Sequence, residues 1–357
     1  MHGRAAEIIL GTDPMKIPAN SPTTDPAPIL QLRDRQYAAE LISAALLHAD
    51  FFTWLSENDG ASPSTAAEHF GYQSRPLDVL LTLCRAYGFI IGTDALQLSP
   101  LGREHLVKGS PWFLGPYYSP VRDTPIVRAF LHVLKTGKPA NWQAKDSGGD
   151  WHESMRDPEF AKEFTELMNC RGLVFGQALA THIGPLLGER KQLLDVGGGS
   201  GIYSATMCRA HPQLSATVLE QEPVDGIVRA EIARHGMEGR IGVEAGDMFL
   251  DPWPEADIVL LSNVLHDWDS PELREILAKA AETLSPGGLL IIHDAFIDDD
   301  KCGPVETAEY SALLMNITQG KCYSPAEYAA ILEETNFKPG GYQETISKRG
   351  FMTAVRL

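Results

Sequence analysis

The segment LLDVGGGSG, residues 193–201, decides the fold of this chain. It has the pattern of a buried strand that runs into a glycine loop, and the loop opens a helix. Glycines let the backbone turn tightly and let a ligand approach closely. The spacing departs from the dinucleotide fingerprint G-x-G-x-x-G, because Ile202 stands where the last glycine is expected. The segment therefore predicts a ligand-binding turn of a different kind.

The residues after this loop alternate between short apolar runs and helical stretches. The runs QLLDVG, SATVLE, ADIVLLSNV and GGLLIIHDAF are separated by segments with helical periodicity. Such alternation predicts an α/β fold with a mostly parallel sheet. Helices are predicted to start at Ser270-Pro271 and at Ser324-Pro325, where Glu327 completes a capping box.

Acidic residues stand where three successive predicted strands end. Asp195 precedes the glycines, Glu220 ends the next strand, and Asp247 follows the third. Asp195 suits a ligand with an amino group and a sulfonium better than a pyrophosphate, and Glu220 could accept both hydroxyls of a ribose. Asp247 could accept an adenine amino hydrogen, while Met248 packs on the ring. Each acid alone is more often a solvated strand end, but the three together favour a nucleoside site.

Residues 29–110 have the pattern of a small helical unit. The stretch YAAELISAALLHADFFTWL places its apolar residues on one helical stripe, and shorter helices are predicted over 66–70 and 75–88. A hairpin over 89–98 completes the pattern of a winged helix. The chain's acidity favours a packing or dimerisation role over DNA binding. Before this unit, residues 1–28 hold five prolines among small polar residues and predict a largely disordered tail.

Composition narrows the function further. The 357 residues suggest about two domains, and 47 acidic against 30 basic residues give a net charge of −17. That charge repels phosphate backbones and anionic lipid, so neither a nucleic-acid nor a membrane partner is expected. The five cysteines are widely spaced and form no CxxC pair, which predicts a reducing cytoplasm. No apolar run approaches the ~20 residues of a membrane span, and the N-terminal stretch lacks the apolar core of a secretory signal.

Several motifs in a fixed order resemble a known family. They are LLDVGGGSG, VLEQ at 218–221, AGDMF at 245–249, NVLHDWD at 263–269, SPGGLLII at 285–292 and DPEFAKEFTELM at 157–168. Residues 193–357 resemble a class I S-adenosylmethionine-dependent methyltransferase with a Rossmann-like sheet. After the tail, the chain resembles the O-methyltransferases with an N-terminal winged-helix dimerisation domain. This group contains plant caffeate and flavonoid enzymes, acetylserotonin methyltransferase and many bacterial natural-product enzymes.

The resemblance implies S-adenosylmethionine as cofactor, S-adenosylhomocysteine as its product, a small-molecule acceptor and a homodimer. Ser262 stands where the family often has Lys, so one cofactor contact differs. The implied cofactor-binding residues are Asp195, Gly197, Gly199, Gly201, Glu220, Gln221, Asp247, Met248 and Ser262.

His266, in the LHDW motif, is the candidate general base. A phenol with a pKa of ~10 is a poor nucleophile, and an imidazole can take its proton as the oxygen attacks. The resemblance implies this role for His266, with Asp294 orienting it and Asp267 as a third catalytic candidate. A second acid of the family pattern is replaced by Cys322, which cannot hold an imidazolium as a carboxylate does. No metal is expected, because His293 and Asp294 point to opposite faces of a strand.

A stripe on the helix predicted over 157–171 is the candidate acceptor wall. It comprises Phe160, Phe164, Met168 and Arg171, spaced at i, i+4, i+8 and i+11. Periodicity alone indicates core packing, but the resemblance implies that the stripe lines the acceptor pocket. Met315 and Asn316 are expected on the facing wall. For Arg171 the hypothesis is a pair with an anionic acceptor such as an aromatic acid, and the alternative is a surface ion pair.

The predicted organisation is a tail over 1–28, a winged-helix-like dimerisation domain over 29–120 and a methyltransferase domain over 121–357. Helices within 121–190 are expected to help line the acceptor pocket. The predicted function is that of a cytoplasmic, homodimeric S-adenosylmethionine-dependent methyltransferase. It would methylate a hydroxyl of a small aromatic or polyketide-like molecule.

Three alternatives remain open from the sequence. Methylation of carbon or nitrogen, on a small aromatic or keto-acid acceptor, needs less help from a base and would suit Cys322. A non-methylating enzyme on the same scaffold, such as a hydroxylase or decarboxylase, is a second. A ligand-binding winged-helix regulator ranks last, because residues 75–91 hold only Arg75 and Arg85 against Asp78.

Overall fold

A computed structural model describes residues 17–18, 20–139 and 155–357. The first part of this chain is helical, as its apolar periodicity predicts. Its helices are α1 (Ala27–Asp34), α2 (Ala38–Ser43), α3 (Phe51–Glu57), α4 (Pro63–Phe70), α5 (Ser74–Ala86), α6 (Pro100–His105), α7 (Gly115–Tyr118) and α8 (Pro125–Thr136). A π-helical turn, Ala44–His48, extends α2. The predicted hairpin is present, with β1 (Ile90–Ile91) antiparallel to β2 (Gln97–Leu98).

The second part alternates strands and helices. The strands are β3 (Gln192–Val196), β4 (Ser215–Glu220), β5 (Ile241–Ala245), β6 (Ala256–Ser262), β7 (Leu284–Asp294), β8 (Phe337–Glu344) and β9 (Gly350–Arg356). The helices are α9 (Pro158–Leu187), α10 (Ile202–Ala210), α11 (Val224–Arg234), α12 (Ser270–Thr283), α13 (Val305–Ile317) and α14 (Pro325–Glu334). The Ser324 capping box with Glu327 is confirmed, whereas α12 is capped by Asp269 in front of Ser270.

These strands form one seven-stranded sheet in the order β5-β4-β3-β6-β7-β9-β8. Strands β3 to β7 are parallel, and β9 is antiparallel to both neighbours. The chain leaves β3 toward one edge through β4 and β5, and then returns to the other side of β3 as β6. Parallel sheets bind ligands beyond the carboxyl ends of the strands at such a reversal. The predicted Rossmann-like α/β fold is confirmed, and its topology directs attention to the ends of β3, β4 and β6.

Two helices from outside residues 29–120 complete the core of the helical unit. From α8, Phe130 and Val133 are buried in one cluster with Leu41 of α2 and Phe51 of α3. From α13, Leu313 joins the same cluster. The helical unit and the helix that follows β7 therefore share one hydrophobic core, and α8 packs with the helical unit although it follows residue 120.

The prediction of a disordered tail falls mainly on residues 1–16 and 19, which lie outside the described residues, as do 140–154. Of the described tail residues, Ile17 is buried, and the Pro18 carbonyl accepts a hydrogen bond from Gln177 of α9 at 3.1 Å. Within the described ranges, no single helix is long and apolar enough to cross a membrane. One bent pair, Ala27–His48 with Phe51–Glu57, meets the criteria of length and composition together.

Candidate active site

The glycine loop turns the chain from β3 into α10. Gly197, Gly199 and Gly201 have φ values of 62°, 59° and 74°, in the left-handed region that side chains disfavour. Gly197 and Gly199 line a cavity at the carboxyl end of the sheet. Gly201 caps α10 and is not part of that lining, since its Cβ position faces Val228 and Val218 in the core.

The cavity brings together most of the predicted site residues. Those that line it are Gly197, Gly199, Glu220, Gln221, Met248, Ser262, His266, Asp267, Phe164, Met168 and Arg171. The predicted residues outside the lining are Asp195, Gly201, Asp247, Asp294, Phe160, Met315 and Asn316. Residues that sequence reasoning missed include Arg33, Tyr203, Asn263, Tyr310, Leu313, Leu314 and Ile317.

Asp195 is fully buried behind the glycine loop. One carboxylate oxygen accepts a 2.7 Å hydrogen bond from Ser204, and the other has no partner among the described residues. A Cβ at Gly198 would lie 2.8 Å from the Asp195 carboxyl carbon, so the loop rests directly on this group. Burial raises the pKa of Asp195 to about 6. Asp195 thus lies behind the glycines of the cavity wall, and its Oδ1 atom has no hydrogen-bond donor among the described residues.

The next two acids differ from each other. Glu220 faces the cavity from the end of β4 and accepts a 3.1 Å bond from the Gln221 N–H. Burial raises the pKa of Glu220 to about 8. The Asp247 carboxylate instead accepts the Phe249 N–H at 2.8 Å and stabilises the turn after β5, while Met248 reaches the cavity.

His266 lies on a 3-10 turn, Leu265–Asp267, that follows β6. Its Nδ1 is 2.5 Å from Oδ1 of Asp294, the last residue of the neighbouring strand β7. Burial alone would raise the pKa of Asp294, but the His266 imidazole and the Ala295 N–H hold that pKa below its usual range. The ionised carboxylate therefore accepts a hydrogen bond from the Nδ1–H group. Nε2 is then the unprotonated ring nitrogen, which can accept a proton.

The surroundings of His266 include a second acid and a thiol. Asp267 Oδ1 is 3.6 Å from Nε2, and burial raises the pKa of Asp267 to about 7. Cys322, which replaces an acid of the family pattern, is buried in the core shared with α13. Burial raises the pKa of this thiol well above its usual value, so it carries no charge at neutral pH. Asp294 is the carboxylate that contacts Nδ1 of His266.

A polar network stabilises the turn before His266. The side-chain amide of Asn263 donates to the Tyr203 hydroxyl at 3.0 Å and to the Ser262 hydroxyl at 3.2 Å. Ser262 in turn lies 2.9 Å from Nδ1 of His293, whose pKa burial lowers to about 3. Asn263 has a φ of 55°, a conformation that Asn tolerates better than most residues. Asn263 is the first residue of the NVLHDWD motif, and this position was the signal in the sequence that could have identified it as a site residue.

Helices α9 and α13, predicted as the walls of the acceptor pocket, both contribute to the lining of the cavity. Phe164, Met168 and Arg171 of α9 line the cavity, whereas Phe160 stacks on Phe164 one turn away. On α13 the predicted Met315 and Asn316 are turned into the protein interior. The α13 residues that line the cavity are Tyr310, Leu313, Leu314 and Ile317.

Arg171 is not part of a surface ion pair. Its Nη1 donates to the Tyr310 hydroxyl at 3.3 Å, and its guanidinium carbon lies 5.9 Å from the Tyr310 ring centroid. No carboxylate of the described residues pairs with it within 4.0 Å. The described residues also contain no cluster of three metal-ligating side chains.

Comparison with known proteins shows the family of this chain. Residues 131–338, more than half of the chain, match an O-methyltransferase domain. A 3-hydroxy-5-methyl-1-naphthoate 3-O-methyltransferase of Streptomyces sahachiroi is 34% identical over 294 residues, covering 81% of this chain and 83% of that protein. An L-tyrosine C(3)-methyltransferase of Streptomyces lavendulae is 27% identical over 349 residues, covering 91% and 92%.

Among solved structures, an O-methyltransferase family 2 protein from Planctomyces limnophilus, in complex with apigenin, has a TM-score of 0.84. It is 29% identical and covers 96% of this chain and 100% of that one. Fold and site thus define a class I, S-adenosylmethionine-dependent methyltransferase. The chain belongs to the O-methyltransferase family, as its motifs predicted.

Proposed function

We propose that this enzyme methylates a hydroxyl of a small aromatic or polyketide-like acceptor, with His266 as general base. The observation that carries the proposal is the 2.5 Å contact between Asp294 and Nδ1 of His266, which leaves Nε2 as the ring nitrogen that can take a proton. S-adenosylmethionine supplies the methyl group. As the hydroxyl oxygen attacks, its proton moves to Nε2, and Asp294 stabilises the resulting imidazolium.

The lining residues around the glycine loop fit this cofactor. Gly197 and Gly199 allow close approach, and Glu220 at the end of β4 is placed to accept the ribose hydroxyls. Met248 offers a thioether to the adenine face. The orphaned oxygen of Asp195 is a buried acceptor next to the loop, in keeping with a ligand that carries an amino group. Gln221 and Ser262 complete the cofactor wall in this proposal.

The acceptor end of the cavity is apolar with few polar groups, which is typical of a small-molecule site. Phe164, Met168 and Leu313 provide its apolar surface, and Asp267 stands beside Nε2 of the base. The names of the relatives, a naphthoate 3-O-methyltransferase and a tetracenomycin polyketide 8-O-methyltransferase, agree with an aromatic acceptor.

The test is a product analysis with methyl-labelled S-adenosylmethionine and a panel of phenols, enols, aromatic acids and amines. We expect label on oxygen, reduced by ~10²-fold or more in His266→Ala. His105→Ala, at a half-buried histidine on α6 outside the cavity lining, is the matched control. Label on oxygen with little effect of His266→Ala would contradict the general-base role.

A second candidate function is methylation of carbon or nitrogen. Cys322 removes one acid from the surroundings of the base, and the L-tyrosine C(3)-methyltransferase is similar over nearly the whole chain. Identification of the labelled atom by NMR separates this candidate from O-methylation.

We further propose a cytoplasmic homodimer, with a dimerisation domain over 29–120 and a methyltransferase domain over 121–357. The five cysteines are free thiols, in keeping with a reducing compartment. The helical unit exposes large apolar side chains, Ile29, Leu32 and Tyr117 among them, as a surface that associates with a second copy would.

A further inference from the structure

We infer that the acceptor carries a carboxylate and that Arg171, beside Tyr310, binds it. The acceptor class would then be hydroxylated aromatic carboxylic acids. This inference rests on the proposed function, because it assigns the second polar group of the molecule whose hydroxyl meets His266.

Tyr310 connects the arginine to the base. The edge of its ring meets the His266 imidazole, with centroids 5.8 Å apart and planes at 85°. Its hydroxyl accepts the 3.3 Å bond from Arg171. The Arg171 guanidinium and the His266 imidazole thus both contact Tyr310, whose ring also carries the Arg349 guanidinium 4.2 Å from its centroid, and Arg171 and His266 line the same cavity. An aromatic acceptor of one or two rings can reach His266 with its hydroxyl and Arg171 with a second substituent.

Among the described residues, no carboxylate forms an ion pair with Arg171 within 4.0 Å. Asp34 of α1, an acid in its neighbourhood, already pairs with Arg33 at 3.2 Å and with Arg349 at 3.6 Å. The other nearby acid, Asp267, lies 3.6 Å from Nε2 of His266, and burial raises its pKa to about 7 although His266 and Arg171 both act to lower it. Two arginines, Arg33 and Arg171, thus line a cavity within a chain of net charge −17.

The environment makes an unpaired guanidinium costly. Arg171 is partly buried among Phe164, Met168 and Leu314, and a charge in apolar surroundings is unfavourable unless it is paired. One of its five N–H groups donates to Tyr310, and the described residues accept no hydrogen bond from the others. A planar carboxylate matches the guanidinium fork with two hydrogen bonds, which a neutral substituent cannot do.

Matched acceptor pairs test the inference. The probes are 6-hydroxy-2-naphthoic acid with 6-hydroxy-2-naphthamide, and 3-hydroxybenzoic acid with 3-hydroxybenzamide. Calorimetry on the full-length enzyme saturated with S-adenosylhomocysteine measures acceptor binding without turnover. A parallel assay measures kcat/KM for methyl transfer. We expect the acid of at least one pair to bind about tenfold or more tightly than its amide.

In Arg171→Leu we expect this acid-to-amide ratio to fall by about tenfold or more, and Arg171→Lys should keep part of it through its charge. The control is Arg274→Leu, which removes an exposed arginine paired with Glu334 and should leave the ratio unchanged. Arg33→Leu removes the other arginine of the cavity lining.

Equal binding of acids and amides to the wild type, no binding of either acid, or an unchanged ratio in Arg171→Leu would overturn the inference. So would a ratio that falls in Arg33→Leu but not in Arg171→Leu. Acid preference without any O-methylated product would instead count against the proposed function, and O-methylation without acid preference would count only against this inference.

Discussion

At the scale of single residues, the proposed base, His266, depends on one hydrogen-bonded carboxylate. Asp294 binds Nδ1 of His266 at 2.5 Å, while the position that could have supplied a second acid is the neutral thiol of Cys322. Asp267 is near the other ring nitrogen but at 3.6 Å, beyond hydrogen-bond distance. The orientation and the tautomer of His266 therefore depend on this single contact with Asp294.

Replacing that carboxylate by an amide should disable the base. In Asp294→Asn the amide can donate to Nδ1, which favours the tautomer whose Nε2 already carries a proton. We expect kcat for a phenolic acceptor to fall by ~10²-fold or more, measured by methyl transfer under saturating cofactor. Asp94→Asn, at an exposed turn of the β1–β2 hairpin, is the control. A change of less than about twofold in Asp294→Asn would show that His266 needs no such partner.

Glu220 should make the stability of the ligand-free protein depend on pH. Its pKa is raised by burial from 4.5 to about 8, so the native state binds this proton more tightly than the unfolded chain does. The stabilising contribution is complete below pH ~4.5 and is lost as the pH rises toward 8, so the free energy of unfolding should fall over this range.

Urea unfolding at several pH values tests this expectation. Glu220→Gln should show a shallower decline between pH 6 and 8 than the wild type, and Glu238→Gln, at an exposed position, should follow the wild type. Equal slopes in Glu220→Gln and wild type would contradict it.

At the scale of elements, the loop between α13 and α14 supports the turn that carries His266. The Gln319 N–H donates to the Asp267 carbonyl at 3.0 Å, and the Gly320 carbonyl accepts a 2.7 Å bond from Arg75 of α5. A Cβ on Gly320 would lie 2.6 Å from the backbone nitrogen of Trp268, a distance that real side chains do not reach. The backbone at residue 320 thus packs directly against the catalytic turn.

A methyl group at this point should move the turn. We expect Gly320→Ala to lower the free energy of unfolding by about 1–3 kcal/mol and to reduce kcat at least tenfold, because His266 shifts relative to the acceptor. Gly341→Ala in β8 is the control, since no atom lies within 4 Å of its Cβ position. Wild-type stability and activity in Gly320→Ala would rule out this support role.

At the scale of the molecule, the helical unit and the sheet domain are joined by α13 and by an ion-pair network. Lys321 pairs with Asp78 of α5 and, at 2.6 Å, with Glu327 of α14, and Lys301 pairs with Glu327 at 2.5 Å. Tyr310, Leu313 and Leu314 of α13 belong to the core of the helical unit and also line the cavity. The shape of the acceptor wall is therefore coupled to the packing of the helical unit.

We expect the exposed apolar face of α1, formed by Ile29 and Leu32, to be buried at the interface of the proposed dimer. Ile29 and Leu32 are 75% and 63% exposed. We expect light scattering to give twice the 39.0 kDa of one chain for the wild type, and the single-chain mass for the double variant Ile29→Lys, Leu32→Lys. Leu250→Lys alters an equally exposed side chain outside the helical unit and should remain dimeric. A monomeric wild type would contradict the dimer, and a dimeric double variant would exclude this face.

The sequence by itself determined the features that depend on local pattern. Apolar periodicity gave the helices and strands, glycine spacing gave the loop after β3, and the LHDW motif gave His266, because each signal lies within a few neighbouring residues. The β-strand ends then brought Glu220 and Met248 to one cavity, since the carboxyl ends of parallel strands meet at one edge.

Only the tertiary structure decided which side of a helix that is buried nearly all round, such as α13, faces the cavity. α13 is buried nearly all round, so it has no apolar stripe to reveal its orientation, and Tyr310 rather than Met315 faces the acceptor region. Asp195 likewise lies behind the loop because the glycines pack over it. The contact of Arg171 with Tyr310 joins residues 139 positions apart, and such a distance in sequence carries no local pattern.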